Sequence, residues 1–177
     1  MIDQLFSTPV YKSKVKNFNL IQKEVKCAIE IEKNNFDNII FNGNIIKECK
    51  IKGLKKEIYS HIKKYKKHTP FNYTSSNNSL GKNPKIIASW ITRIKKNNYF
   101  ATHDHGMYDI SGCYYYKTSD SNGDLFFEAP GIWGGKHTIS PEEGQIILFP
   151  SWLKHGVTFN TMNETRMSLA FNVVFKR

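Results

Sequence analysis

Residues 97–116 read NNYFATHDHGMYDISGCYYY. The run is rich in aromatic residues, which suit a pleated, half-buried surface. His103-Asp104-His105 and the glycine behind them interrupt it. In a strand, residues i and i+2 face the same way, so His103 and His105 are expected to project together, with Asp104 on the other face. Tyr99 and Ala101 share the His103 face. Two imidazoles roughly 7 Å apart at Cα can reach one ion, and histidine is the commonest metal ligand near neutral pH.

The surroundings carry the same strand signal. Upstream, IIASWITRI alternates and places Ile86, Ala88, Trp90, Thr92 and Ile94 on one side. Downstream come SGCYYYK, DLFFEA, QIILFP, GVTFN and RMSLAFNVVF, separated by turns containing Asn, Gly or Pro. Asn122-Gly123 predicts a hairpin between SGCYYY and DLFF. Residues 128–143, EAPGIWGGKHTISPEE, form the longest irregular segment of this half and suit a lid or substrate loop carrying Trp133. Many short strands in series, with helices gathered at one end, predict a mainly β fold with flanking helices. Its architecture is then a sandwich or barrel.

The helices belong to the first third. In LIQKEVKCAIE, Ile21, Val25, Ala28 and Ile29 share a face, and Asn19 with Gln22 has capping-box spacing. In GLKKEIYSHIKKYKK, Leu54, Ile58, His61, Ile62 and Tyr65 recur at helical spacing, while Lys55, Lys56, Lys63, Lys64, Lys66 and Lys67 crowd the other side. At 177 residues the chain fits one domain, 1–177. Residues 1–68 form a helical support region and 86–175 the β core.

Composition narrows the function classes. The formal net charge of +11 makes a nucleic-acid partner possible. Yet of 26 basic residues only Arg93, Arg166 and Arg177 are arginine, the residue that reads bases and stacks on them. Solvated lysines are the simpler expectation, and nucleic acid is not favoured. Cys27, Cys49 and Cys113 make no CxxC pair, which fits a reducing, cytoplasmic setting. No run approaches the ~18 apolar residues of a spanning helix, and MIDQLFSTPV lacks the apolar region of a signal peptide. No membrane association is expected.

Two later residues join the histidine pair. His155 follows FPSWLK, a strand end with a proline turn that sets a side chain at a sheet's mouth. Arg166 lies eleven residues on, at the start of the last strand. Alternation there puts Arg166, Ser168, Ala170 and Asn172 on one face and Met167, Leu169, Phe171 and Val173 on the other. An arginine fork beside a serine on an inward face suits a carboxylate; on an exposed face the same arginine would simply pair with Asp or Glu.

On SWITRIKKNNYFATHDHGMYDISGCYYYK, GDLFFEAP and EEGQIILFPSWLKHGVTFNTMNETRMSLAFNV, the chain resembles the Fe(II)- and 2-oxoglutarate-dependent oxygenases. It is most similar to the small members found in phage and marine bacterial genomes. The resemblance covers residues 86–175 and only loosely the helices. It implies a double-stranded β-helix, or jelly roll, related to the cupins. It also implies an HxD or HxE pair plus a distal histidine on Fe(II). His103 takes the first position and His155 the distal one. His105 stands where a carboxylate is usual, so the implied set is His103, His105 and His155, with Asp109 or Asp104 as alternatives for the third ligand. Arg166 would bind the distal carboxylate of 2-oxoglutarate with Ser168 nearby, and Tyr114 or Tyr116 would add a hydroxyl. The implied reaction consumes 2-oxoglutarate and O2, releases succinate and CO2, and hydroxylates a substrate that no motif names. For a phage-encoded chain the setting is the host cytoplasm.

Two other classes remain open on the residues alone. One is a cupin-like metal enzyme without 2-oxoglutarate, which gives Arg166 no task. The other is a basic jelly-roll module binding nucleic acid or an acidic protein. Open strand edges in such folds also permit dimers.

Overall fold

The structure, a computed structural model, describes residues 8–34, 43–68, 83–129 and 134–176. Trp133 and the three residues before it in the expected lid or substrate loop lie outside them. The described strands form two antiparallel sheets. The major sheet has the order β1-β7-β4-β9-β2, using β1 (Tyr11–Lys14), β7 (Gln145–Pro150), β4 (Ile110–Lys117), β9 (Arg166–Lys176) and β2 (Asn83–Ile94). The minor sheet has the order β3-β8-β5-β6, using β3 (Phe100–His103), β8 (His155–Val157), β5 (Leu125–Glu128) and β6 (Lys136–Ile139). The run of short strands predicts a sandwich or barrel, and this two-sheet arrangement is the jelly roll that the resemblance implies.

The major sheet is buried on both faces. Its outer face carries Tyr114, Ile146, Leu148, Leu169, Phe171 and Val173 into a core shared with α1 (Phe18–Asn34) and α3 (Lys52–His68). Ile21, Val25, Ala28 and Ile29 of α1 and Leu54, Ile58, Ile62 and Tyr65 of α3 are buried there, as the helical spacing requires. Each large aliphatic removed from water contributes roughly 1.5–3 kcal/mol, so the amphipathic stripe explains the docking of two lysine-rich helices. The inner face meets the minor sheet through Tyr115, Ile147 and Phe149 packed on Leu125, Phe127, Ile139 and Leu153.

Several local expectations need correction. The first 68 residues are not only helical, because β1 adds an edge strand to the major sheet through pairs such as Tyr11 with Leu148. Asn19 lies inside α1 rather than capping it. Asn122-Gly123 does not close a hairpin: β4 and β5 sit in different sheets, so the turn crosses between layers, with Gly123 at φ +105. The segment 128–143 contributes β6. In β2 a register shift between Ile86 and Ala88 changes parity. Ile86 therefore joins the helix-facing core, while Trp90 and Thr92 keep the inner face beside Ala170 and Ser168.

The close approach of strands sets one glycine. A Cβ on Gly112 would stand 2.6 Å from Phe171 Cζ, 2.7 Å from Leu148 Cδ2 and 2.8 Å from the Ile147 carbonyl. Overpacking of this kind costs about 1–3 kcal/mol. Gly112→Ala is expected to lower the denaturation midpoint accordingly in a urea titration; an unchanged midpoint would contradict the packing between β4, β7 and β9.

Candidate metal centre

His103 is the last residue of β3 and His155 the first of β8, and the two are directly paired across the strands. Their rings stand 4.5 Å apart between centroids. His105 lies just past β3, with its ring 5.1 Å from His103 and 5.3 Å from His155. One donor atom from each of the three lies within 4.8 Å of the others, close enough for a single ion to bridge. Asp104 instead accepts the Gly106 amide, and Asp109 accepts the Phe175 amide through Oδ2. Among the described residues neither aspartate joins the histidine cluster.

Backbone carbonyls fix two of the rings. His103 Nδ1 lies 2.8 Å from the Ala101 carbonyl and His155 Nδ1 2.9 Å from the Leu153 carbonyl. A carbonyl only accepts, so Nδ1 carries the proton and Nε2 keeps its lone pair, the tautomer a metal ligand needs. Burial then favours the neutral ring. It pushes His155 down to about 4, and it lowers His105 too, with help from His103. The set of neutral imidazoles fits a divalent transition metal such as Fe(II).

Below the histidines, the inner face of β9 lines the same cavity with Arg166, Ser168, Ala170 and Asn172. Alternation along the last strand thus delivers the expected polar face. Arg166 is 1% exposed and its Nε has no hydrogen-bond partner. Among the described residues no carboxylate lies within ion-pair distance of it. Its guanidinium sits 4.9 Å from the centroid of Tyr115. The loop ahead of it is held by Asn160, whose Nδ2 donates to the Ile94 and Glu164 carbonyls.

The tyrosines are where the structure departs from expectation. Tyr114 is fully buried in the helix-facing core and Tyr116 packs against that same core, so neither lines the cavity. Tyr115, paired with Ser168 in register, is the one on the Arg166 side. Its hydroxyl is buried next to Arg166 and Cys113, has no hydrogen bond of normal geometry among the described residues, and burial pushes its pKa up. Cys113 also lines the cavity; burial pushes its thiol up to about 11, which argues against a nucleophile.

The family model "Putative 2OG-Fe(II) oxygenase" matches residues 133–172, a span that includes His155, Arg166 and Ser168. Over that span the chain is similar to the 2OG-Fe(II) oxygenases. Solved structures show the same fold at low identity. A Pseudomonas putida prolyl-4-hydroxylase is 13% identical with a TM-score of 0.62, over 97% of this chain and 89% of that one. The carbocyclase SnoK from nogalamycin biosynthesis, described as non-heme and α-ketoglutarate dependent, is 10% identical with a TM-score of 0.69, over 95% and 80%. HygX from Streptomyces hygroscopicus, solved with nickel and 2-oxoglutarate bound, is 8% identical with a TM-score of 0.67, over 96% and 83%. No curated protein matches the chain. Among the described residues no helix is long and apolar enough to cross a membrane.

The burial of His155 has a pH consequence. Its folded pKa lies below the unfolded 6.5, so the unfolded chain takes up the proton first as pH falls. Stability of the metal-free protein should therefore drop between about pH 6.5 and pH 4, by roughly 3 kcal/mol from this group. Urea titrations at pH 7 and pH 4.5 measure it. His155→Phe should flatten the dependence; an equal slope in both proteins would rule out a buried neutral His155.

Proposed function

We propose that the protein is an Fe(II)- and 2-oxoglutarate-dependent dioxygenase that hydroxylates a substrate entering between β2 and the 104–108 loop. His103, His105 and His155 would hold the metal. Arg166, with Ser168 and Tyr115, would hold the distal carboxylate of 2-oxoglutarate. The carrying observation is a buried guanidinium with no counter-charge among the described residues, in the cavity that the three histidines line. An ionised group removed from water needs pairing and hydrogen bonds, and a carboxylate on Arg166 Nε and the Tyr115 hydroxyl supplies both.

The two spaces suit two ligands. The inner cavity is narrow, about 80 Å³, and runs from the histidines to Arg166. It opens past Trp90, Phe100 and His105 into a cleft of about 940 Å³ lined also by Ile87 and Met107. That volume lies at the upper end of small-molecule sites. With metal and cosubstrate bound, the chemistry supplied is O2 activation coupled to oxidative decarboxylation, giving succinate, CO2 and a hydroxylated substrate. The chain's residues contribute the rest. Nδ1–H bonds to carbonyls aim two imidazoles, Arg166 orients an anion, and Phe149 and Phe127 pack behind His155 and keep water from that side. HygX binds nickel with 2-oxoglutarate, and the same pair suits this cavity. O2 is the second cosubstrate, and the acceptor substrate is most simply a small molecule.

Anaerobic titration with Fe(II) and then 2-oxoglutarate tests the reading. The wild type should develop the visible metal-to-ligand charge-transfer band of a chelated 2-oxo acid. His155→Ala should lose it through lost metal. Arg166→Lys and Arg166→Ala should keep the metal but need about 10- to 100-fold more 2-oxoglutarate, the equivalent of one charge-assisted hydrogen-bond set of about 1.5–3 kcal/mol. Iron binding with no band would leave a cupin-like metal enzyme, and no metal binding would leave a binding module.

A further inference from the structure

We propose that Ser151, Ser111 and Asn172 form a buried relay that positions His105 as the third metal ligand, an inference that rests on the three-histidine reading above. His103 and His155 sit on paired strands and each has a carbonyl on Nδ1. His105 has neither support. It lies beyond the end of β3, half-buried, with Trp90 edge-on at 5.8 Å. Its placement therefore depends on what holds residues 104–109.

The holding group is Ser151, in the turn between β7 and β8. The His105 amide donates to the Ser151 carbonyl at 2.8 Å, and the Ser151 amide donates to the Asp109 carbonyl at 3.3 Å. One residue thus grips both ends of the loop, and the Tyr108 amide closes it by donating to the His105 carbonyl at 2.9 Å. Ser151 is itself pinned from below. Its Oγ lies 2.9 Å from Ser111 Oγ, and Ser111 Oγ donates to Asn172 Oδ1 at 2.7 Å.

The direction of the relay follows from satisfaction. Ser151 is fully buried, and among the described residues Ser111 Oγ is the acceptor within reach of its hydroxyl. Ser151 therefore donates to Ser111, and the Ser111 proton goes to Asn172. Ser111 and Asn172 are a cross-strand pair of β4 and β9, inside the major sheet. The relay so transmits the position of the sheet to the loop that carries His105. Three polar side chains, each no more than 2% exposed, line one wall at a place where apolar packing would serve stability as well. Such outer groups commonly tune metal affinity by 10- to 100-fold.

Co(II) titration of the metal-free protein, followed by its visible absorption, tests this. Ser111→Ala should weaken Co(II) by about tenfold and alter the spectrum. Ser111→Thr, which keeps the hydroxyl, should restore both. The deciding measurement is the double-mutant cycle. The Ser111→Ala loss should vanish in a His105→Ala background and persist in a His103→Ala background. The thermal midpoint of each metal-free variant separates loss of fold from loss of ligand placement. If Ser111→Ala does not fold, Ser151→Ala is put through the same cycles. A loss of equal size in both histidine backgrounds, or no loss in the single variant, overturns the relay. An unchanged affinity in His105→Ala alone would instead overturn the three-histidine reading, and the relay with it.

Discussion

A buried guanidinium with no counter-charge among the described residues is the constraint on which the other features depend. Removing such a charge from water costs several kcal/mol even after relaxation. Arg166 meets part of that cost with the face of Tyr115 and leaves Nε without a partner. The neighbouring inner-face residues are small or polar, Ser168, Ala170 and Thr92, and keep a channel open from the guanidinium to the histidines. Filled with leucines, this sheet face would pack better and hold nothing. The outer face of the same sheet shows that alternative, packed with aliphatic residues against two helices.

Charge also links the two ends of the cavity. The proposed set of three neutral imidazoles would leave a divalent ion with its full charge, where an HxD set would remove one unit. The burial that lowers the His155 pKa favours its neutral ring. A metal held this way and Arg166 would together present net positive charge at both ends of a narrow space. A dianionic 2-oxo acid balances that charge, and a neutral ligand would not. On the proposed ligand set, the absence of a carboxylate at position 105 would make the centre more dependent on an anionic cosubstrate.

Much of this was legible in the sequence because strand parity is a strict rule. Arg166, Ser168 and Asn172 share an inner face as alternation requires, and HxH with a later histidine marks the cluster. Parity failed where something upset or underdetermined it. A register shift moved Ile86 to the other face. Three consecutive tyrosines gave no internal signal of which faced inward; only the pairing of Tyr115 with Ser168 decides it, and that pairing is a long-range fact. His105 reached the cluster without being on the strand at all, held by a turn more than forty residues away. The Ser111–Ser151–Asn172 relay had no sequence signal, since its members belong to three strands or turns whose register the chain does not announce.

The basic character of the chain separates from its chemistry in space. The lysines of α3 stand on a helix packed against the outer face of the major sheet, while the histidines open from the inner face. The cleft in front of them is lined by Ile87, Trp90, Phe100 and Met107. Among its described lining residues the one lysine or arginine, Arg93, is already paired with Glu32, and Asp104 adds a negative charge. The net charge of +11 therefore says little about the mouth of the site. Apolar side chains dominate the lining of the mouth, so the high pI gives little reason to place nucleic acid in the cleft.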